Sequence, residues 1–426
     1  MSKCLILDIT PLKNGYYQNS GRSGIFFTLK NILSEILQLR QEIDLYFNII
    51  CEQPDDAYKT LYVLQQEFPL DSGFVRSRCF SNAGFLSQSV NFIFAATESR
   101  KESLFGRCIR KALRLAGKAA VSQKWNVPAE IAEKATFLSL MYAVPEYVKK
   151  QIPPERCCTM LYDTIPSLFS VYSGDLTSWY GKVVSSLSAN EKYLAISQSS
   201  VNDFKRLFPV VSDCDIDVVP LAAADSFCRV TDEIVLQKVR NKYSIPAGKR
   251  VFFSHCSLAP HKNLDRLFAA FCQIREQLVD WIIVFSGSNA PGMMNKLLQY
   301  AADRQVPESS FVFTGYVDDE DLAALYSLAD VFCFVSLYEG FGLPVLEAMS
   351  CGTACVVSNT SSIPEVAGDA ALYADPESVE DIAQKMLLAA QSEELRNDYT
   401  AKSIARAKLF SWQKSSRMIV EKLDLI

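Results

Sequence analysis

The chain has 426 residues, of which 49% are hydrophobic and 21% charged, and its formal net charge is −5. This composition indicates a globular protein with large cores and excludes a mainly disordered chain, and the negative charge argues against a general nucleic-acid-binding protein. The 13 cysteines form no C-x-x-C pair and the chain has only 2 histidines, so a structural zinc site is not expected.

The N-terminal segment MSKCLILDIT lacks the basic region, apolar core and small-residue cleavage site of a secretory signal. No uninterrupted apolar run approaches the roughly 18 residues that a membrane-spanning helix needs. We therefore expect the protein in a reducing cytoplasm.

Short apolar runs alternate with helix-period segments along the first half of the chain. The predicted strands are KCLILD (3–8), LYFNIIC (45–51), VNFIFA (90–95), CTMLY (158–162), KYLAIS (192–197) and DIDVVP (215–220). GIFFTLKNILSEILQL (24–39) is the first predicted helix. Strands that alternate with helices indicate a parallel sheet that is covered on both faces.

The same pattern restarts in the second half. The predicted strands are VFFSHCS (251–257), WIIVFSG (281–287), SFVFTG (310–315), VFCFVS (331–336), TACVVS (353–358) and AALYAD (370–375). NLDRLFAAFCQI (263–274) has an apolar face with helical spacing, and Asn263 is its expected N-cap. The predicted architecture is therefore α/β, with two doubly wound domains over residues 1–225 and 226–408.

The stretch EGFGLPVLEAMSCG (339–352) directly follows a predicted strand, at the end where open α/β sheets bind ligands. Its two glycines allow a close backbone approach, and Pro344 suits the first turn of a helix. Free amides at such a helix start form an anion site. Glu339 and Glu347 flank this site, which suits a ligand with central phosphates and hydroxyls at both ends, such as a nucleotide sugar. Alternatively, both acids only face solvent and the helix dipole, an interaction worth about 0.3–1 kcal/mol each.

The spacing of Glu339 and Glu347 matches the E-x7-E pattern of the retaining glycosyltransferases of family 4, the glycosyl transferases group 1, and the surrounding sequence resembles that family. The similar segments are SGRSGI (20–25), LYDTIP (161–166), YLAISQSSVNDF (193–204), APHKNLDRLFAAF (259–271), VFTGYVDDEDLAALYSLADVF (312–332), EGFGLPVLEAMSCG (339–352) and SSIPEVAGDAALYADP (361–376). The resemblance covers most of both halves and is least clear over residues 52–157.

The resemblance implies the GT-B fold, in which two Rossmann-like domains face each other across a cleft. The C-terminal domain of such proteins holds a nucleotide diphosphate sugar and the N-terminal domain holds the acceptor. A last helix often crosses back to the first domain, and LFSWQKSSRMIVEKL (409–423), within a predicted C-terminal unit 409–426, resembles that segment. No cofactor is expected beyond the sugar nucleotide as co-substrate, and no metal requirement is predicted.

Three residues would perform the chemistry that the resemblance implies. Glu339 would bind hydroxyls of the transferred sugar, and Lys262 would stabilise the charge that grows on the departing diphosphate. Many relatives carry an arginine five residues before this lysine, where this chain has Ser257. Asp163 would bind or orient the acceptor hydroxyl. Because Tyr162 stands where many relatives have histidine, we expect a front-side displacement in which the departing phosphate receives the acceptor proton.

Further residues would surround the bound donor. They are Gly24, Ser257, His261, Tyr316, Val317, Phe341, Gly342, Leu343 and Glu347. Glu347 would hold the ribose, and Gly24 would face the diphosphate from the other domain. Tyr316 and Val317 would border the base, with ordinary core or rim packing as the alternative. The alternative for His261 is an ordinary loop residue.

Residues 100–124 carry eight basic side chains and one acidic side chain. The basic residues that share one helical face are Arg107, Arg110, Lys111, Arg114 and Lys118. A basic amphipathic helix on an acidic protein suits an anionic membrane surface, so peripheral attachment to the inner face of the membrane is one expectation. A solvated helix, or a basic rim for an acidic acceptor, is the other.

The favoured function is transfer of a hexose, with mannose slightly preferred, from a nucleotide diphosphate sugar to a glycan or lipid-linked acceptor. The setting would be biosynthesis of a cell-surface polysaccharide such as the lipopolysaccharide O-antigen, and no nucleic-acid partner is expected. The first alternative is a glycoside hydrolase that uses Glu339 and Glu347 as its carboxylate pair. The second is an inactive homologue that binds a nucleotide sugar.

Overall fold

The structure is a computed structural model that describes residues 3–17, 24–52, 56–81, 125, 127–169, 178–287 and 291–426. The first half contains strands β1 (Cys4–Asp8), β2 (Asp44–Ile49), β3 (Cys79–Ser81), β4 (Ala135–Ser139), β5 (Cys157–Leu161), β6 (Lys192–Ala195) and β7 (Ile216–Val218). Its helices are α1 (Gly24–Gln38), α2 (Asp56–Glu67), α3 (Ser72–Arg78), α4 (Ala129–Ala132), α5 (Glu146–Lys149), α6 (Ile165–Leu168), α7 (Trp179–Ser186) and α8 (Gln198–Leu207).

The second half continues the alternation of helices and strands. Its strands are β8 (Arg250–His255), β9 (Trp281–Ser286), β10 (Phe311–Gly315), β11 (Val331–Phe334), β12 (Ala354–Ser358) and β13 (Leu372–Ala374). Its helices are α9 (Glu233–Lys242), α10 (Leu264–Ile274), α11 (Pro291–Ala302), α12 (Asp319–Leu328), α13 (Leu343–Ser350), α14 (Ile363–Ala367), α15 (Val379–Gln391), α16 (Glu393–Ala407) and α17 (Trp412–Lys422).

Each half builds one parallel sheet. The first has seven strands in the order β3-β2-β1-β4-β5-β6-β7, and the second has six in the order β10-β9-β8-β11-β12-β13. In both, the chain moves outward from a central first strand and then reverses, which is the doubly wound order of Rossmann-like domains. The predicted α/β fold with two such domains is confirmed, while the bounds proposed for the domains stay a prediction.

The central strands are apolar on both faces because helices cover both sides of each sheet. In β1, Leu5 and Leu7 pack into one core and Cys4 and Ile6 into another, and all four are fully buried. Burying a leucine or isoleucine side chain stabilises the fold by about 1.5–3 kcal/mol. The continuous apolar runs that predicted these strands therefore follow from two-sided burial.

Two strands escaped the sequence reading. β3 has only three residues and lies at the edge of the sheet, and ATFLS of β4 was not recognised although it lies beside β1 in the sheet. Three residues are too few to show a period, and a short apolar run does not distinguish a strand from a buried helix. The predicted strand 90–95 and the basic helix within 100–124 lie outside the described residues.

Asn263 stands at the expected N-cap position but does not cap the helix with its side chain. Its backbone is left-handed (φ 61°), and its side-chain amide donates to the carbonyls of Val335 (2.9 Å) and Pro376 (2.7 Å). The expectation of an ordinary side-chain cap was therefore wrong. The amide instead ties the start of α10 to the segment after β11.

The last helix crosses back to the first half. α17 begins after Ser411, whose hydroxyl accepts the N–H of Lys414. Ser416 donates to the carbonyl of Ile32 in α1 (3.5 Å), and Ser415 donates to the carbonyl of Pro220 (2.5 Å). The returning helix was thus predicted correctly, although it is shorter at both ends than 409–423.

Within the ranges that the structure covers, no helix combines the length and the apolar composition needed to cross a membrane.

Candidate active site

A cleft of about 680 Å³ opens between the two halves. The predicted site residues that line it are Gly24, Asp163, Lys262, Tyr316, Val317, Glu339, Phe341, Gly342, Leu343 and Glu347. Ser257 and His261 are not among the residues that line this cleft. Parallel strands in each sheet end on the same edge, which explains why residues distant in sequence meet at one place.

The loop that carries Glu339 connects β11 to α13 and needs its glycines for packing. Gly342 has φ 104°, and a Cβ there would lie 2.5 Å from Cδ1 of Ile363. A Cβ on Gly340 would lie 2.7 Å from Cβ of Asp163 in the other half. The sequence analysis explained both glycines by the close approach of a ligand. In the structure, a side chain at either position would clash with a neighbouring segment of the protein.

Lys262 and Glu339 form an ion pair in the cleft. The Nζ of Lys262 lies 2.8 Å from Oε1 and 2.9 Å from Oε2 of Glu339. Burial alone would lower the pKa of Lys262, but the carboxylate of Glu339 more than offsets it, so this pKa lies above its usual value. The cation and the carboxylate therefore neutralise each other within the cleft.

Backbone contacts fix the turn that presents Lys262. The turn follows β8 as a short 3₁₀ helix, Pro260–Lys262. The N–H of Leu337 donates to the carbonyl of His261 (2.7 Å), which joins this turn to the loop of Glu339. Together with the side chain of Asn263, this bond holds the two charged residues on adjoining, mutually bonded segments.

Asp163 reaches the same place from the first half, just after β5. The N–H of Ile165 donates to its Oδ1 (2.9 Å). Loss of water raises the pKa of Asp163 to about 6, and the nearby carboxylate of Glu339 adds to the rise while Lys262 opposes it. The three residues predicted to perform the chemistry thus lie close enough to influence one another electrostatically.

Glu347 occupies a separate part of the cleft. The hydroxyl of the fully buried Tyr326 donates to its Oε2 (2.9 Å). Burial raises the pKa of Glu347 to about 7. Its hydrogen-bond partner differs from that of Glu339, as expected if the two acids contact different parts of one ligand.

Two helix N-termini meet across the cleft. A Cβ on Gly24, the first residue of α1, would lie 3.9 Å from Cδ1 of Leu343, the first residue of α13. The first amides of a helix have no intrahelical partner and carry partial positive charge. This part of the cleft therefore favours an anion with contributions from both halves.

Ser257 and His261 lie differently from the rest of the predicted set. Ser257 is exposed. The His261 ring is buried against Phe169, with centroids 5.6 Å apart. Tyr316 is 56% exposed at the cleft rim, whereas Val317 beside it is buried. The structure thus gives His261 a packing environment outside the cleft.

Among the cleft residues that the sequence reading did not assign to the site, three carry polar groups directly relevant to its chemistry: His255, Tyr162 and Trp412. His255 ends β8, and its Nδ1 lies 2.8 Å from Oγ of Ser286. Burial lowers the pKa of His255 to about 4, with a smaller effect from Lys262, so the ring is neutral at neutral pH. Tyr162 and Trp412 also line the cleft. The Tyr162 hydroxyl and the Trp412 indole N–H are buried without a hydrogen-bond partner in the part of the chain that is described. The position of His255 at the carboxyl end of a predicted strand could have indicated that it lies at the ligand-binding edge of the sheet.

The pKa of Glu347 predicts a pH-dependent stability. Because its folded-state pKa of about 7 lies above the ordinary glutamate value of 4.5, its stabilising contribution is complete below about pH 4.5 and is lost as the pH rises through 7. Glu347→Gln should therefore become more favourable relative to the parent between about pH 5 and pH 8, by up to about 3 kcal/mol. Urea unfolding at both pH values measures this, with the exposed Glu394→Gln as control. A difference that does not change with pH would contradict the assignment.

Residues 236–406 match the family model described as glycosyl transferases group 1. Among curated proteins, the chain is similar to O-antigen chain mannosyltransferase B of Escherichia coli, with 34% identity over 57% of this chain and 62% of that protein. It is also similar to the serotype-specific mannosyltransferase WbdA of Escherichia coli, with 30% identity over 63% of this chain and 33% of that protein. The chain thus spans under two thirds of the former and about a third of the latter.

A third relative is the GDP-mannose-dependent alpha-(1-6)-phosphatidylinositol dimannoside mannosyltransferase of Mycobacterium tuberculosis, 29% identical over 44% of this chain and 46% of that protein. Two crystal structures share the fold over nearly the whole length. They are Anabaena HepE with UDP and glucose (TM-score 0.62, 16% identity, 100% of both chains) and WaaG, involved in lipopolysaccharide biosynthesis (TM-score 0.59, 11% identity, 99% of both chains). At such identities the structures support the fold alone.

Proposed function

We propose that this chain, whose residues 236–406 belong to the glycosyl transferases group 1 family, transfers a hexose from a nucleotide diphosphate sugar to a glycan acceptor. The observation that carries the proposal is the Lys262–Glu339 pair, which lies in a cleft where two helix N-termini converge. A diphosphate offers charge to the lysine and the amides, and a sugar offers hydroxyls to the carboxylate.

Mannose is the proposed sugar and GDP-mannose the first donor to test. The names of the E. coli relatives include mannosyltransferase, and the mycobacterial relative is named GDP-mannose-dependent. The E. coli names also support an acceptor in O-antigen synthesis, either a growing glycan or its lipid-linked form. UDP sugars belong in the same test, because the HepE structure contains UDP.

In the proposed reaction, Lys262, Glu339 and Glu347 each bind a different part of the donor. Lys262 would leave Glu339 and bind the diphosphate, whose negative charge grows as the sugar departs. Glu339, released from the lysine, would accept hydrogen bonds from hydroxyls of that sugar. Glu347 would accept those of the ribose. The proposal gives the neutralising role to Lys262 and the helix amides and does not call on a metal ion.

Asp163 would orient the acceptor hydroxyl from the first half. With a pKa of about 6 it is mostly ionised at neutral pH and accepts a hydrogen bond from that hydroxyl. The departing phosphate would take the acceptor proton on the same face of the sugar, so the configuration of the transferred sugar would be retained. Attachment to the inner face of the membrane through residues 100–124 stays a prediction from sequence.

A panel of nucleotide sugars tests the proposal. A bound donor should raise the unfolding temperature, because a ligand at 100 times its dissociation constant adds about 2.7 kcal/mol of stability. The donor with the largest effect, expected to be GDP-mannose, should then support transfer to a mannose-containing acceptor, with retention read from the anomeric signal of the product. Cleavage of simple glycosides without any nucleotide would favour the hydrolase instead. Stabilisation by a donor without transfer to any acceptor would favour the inactive homologue.

A further inference from the structure

A carboxylate from the second half occupies the start of a helix in the first half. Glu365 lies in α14, and its Oε2 accepts the N–H of Gln198 while its Oε1 accepts the N–H of Ser199, both at 2.7 Å. Gln198 and Ser199 are the first two residues of α8. Both carboxylate oxygens therefore bind amides at the positive end of a helix across the interface, an arrangement of charge-assisted hydrogen bonds.

The same helix start is tied to the loop of Glu339. Ser197, the N-cap of α8, donates to the carbonyl of Gly340 (2.7 Å). Ser200, in the first turn, donates to the carbonyl of Tyr162 (2.6 Å), the residue directly before Asp163. One corner of the first half thus contacts the neighbours of both acids that face each other in the cleft.

Glu365 is itself coupled to that loop through its own half. The N–H of Glu339 donates to Oγ of Ser361 (3.0 Å), and Ser362 donates to the carbonyls of Glu339 (3.0 Å) and Phe341 (2.9 Å). Arg406 donates to the carbonyl of Glu365 (2.5 Å) and so fixes its backbone. The segment from Ser361 to Glu365 therefore holds the Glu339 loop at one end and the opposite domain at the other.

We propose that Glu365 is a positioning residue, which sets the spacing between Asp163 on the first half and the Lys262–Glu339 pair on the second. This role rests on the proposed transfer reaction. The acceptor oxygen and the sugar carbon must meet at a defined distance, and misplacement by about 1 Å can lower a rate by about 100-fold. In the proposed function the donor contacts Lys262, Glu339 and Glu347, which belong to the second half, and the start of α1 at Gly24 faces the diphosphate from the first half. Glu365 should therefore affect turnover more strongly than donor binding.

Two substitutions test the contact from its two sides. Glu365→Gln keeps the size but replaces one accepting oxygen by an N–H donor. Gln198→Pro removes one amide at the first position of α8, which suits proline, after Ser197 with extended backbone (φ −155°, ψ 160°). Each should lower kcat by about tenfold, because the loss of one of the two charge-assisted hydrogen bonds loosens the contact that sets the spacing of the reacting groups. The double variant should lose less than the product of the single losses, because both act on one contact.

Measurements other than turnover distinguish a positioning role of Glu365 from a role in the stability of the fold alone. The dissociation constant for GDP or UDP, whichever the parent binds, should change less than kcat in both variants, and small-angle X-ray scattering should show a larger radius of gyration. Glu394→Gln, at an exposed position near the start of α16, is the matched control and should resemble the parent. Parental kcat and scattering in both variants, a loss of nucleotide affinity as large as the loss of kcat, or fully multiplicative losses would each overturn the inference. A parent without transfer would instead contradict the proposed function, and the scattering comparison would still test the contact.

Discussion

Glu339→Gln is expected to lower turnover by about 100- to 1,000-fold, the loss typical when one preorganised polar group leaves an active site. The side chain keeps its size but loses the charge that pairs with Lys262 and that would accept hydrogen bonds from the transferred sugar. Initial rates of sugar transfer at saturating donor and acceptor measure the effect. Turnover equal to that of the parent would remove Glu339 from the proposed mechanism.

Stability measurements separate this catalytic loss from unfolding. Removing Glu339 leaves Lys262 without its partner in a site where the two side chains are only 15% and 8% exposed, so the single variant should lose about 1–3 kcal/mol. Combining it with Lys262→Met removes both charges and should restore part of that loss. Glu421→Gln, which breaks an exposed pair with Arg417, is the control and should change stability by less than about 1 kcal/mol. A double variant less stable than either single variant would contradict a coupled pair.

Lys262→Met is expected to weaken nucleoside diphosphate binding and also to slow transfer. The methionine fills similar space but carries no charge for the diphosphate, and hydrogen bonds to charged groups contribute about 1.5–3 kcal/mol, or about 10- to 100-fold in affinity. Turnover should fall further, by about 100-fold or more, because the charge on the leaving group is largest in the transition state. Calorimetric titration with the diphosphate and initial-rate kinetics measure the two effects.

A matched lysine shows whether charge alone explains such losses. Lys402 pairs with Asp398 at 2.7 Å on the exposed surface of α16, and Lys402→Met removes the same charge far from the cleft lining. It should bind the diphosphate and turn over like the parent. Equal affinities in Lys262→Met and the parent would exclude a phosphate role for Lys262, whatever the effect on turnover.

Lys262 and Asp163 were assigned to the site through the family resemblance, whereas Glu339 also stood out because it follows a predicted strand and precedes a glycine-rich helix start. The structure brings all three residues to one cleft, and the roles assigned to them stay predictions. The apolar runs also predicted most strands, since two-sided burial leaves a clear signal. The three-residue β3 gave no such signal, whereas β4 was overlooked although its five residues are all buried.

Contacts between the halves could not be read from local pattern. Glu365 and Gln198 are 167 residues apart, and neither lies in a periodic feature that specifies a partner. His255 was overlooked because it ends a strand whose apolar residues dominated the interpretation. The pairing of Lys262 with Glu339 was likewise invisible, because both residues had been assigned to a ligand rather than to each other.

In the proposed function, the ion pair of Lys262 and Glu339 sets a condition on the ligand, because binding must supply a new partner for each of the two side chains. A free phosphate could replace the carboxylate beside the lysine but would leave Glu339 without a partner, and a free sugar would do the reverse. Only a molecule that carries both groups in one covalent unit replaces both halves of the pair at once. Under the proposed function, the intact donor should therefore bind more tightly than either of its two hydrolysis products.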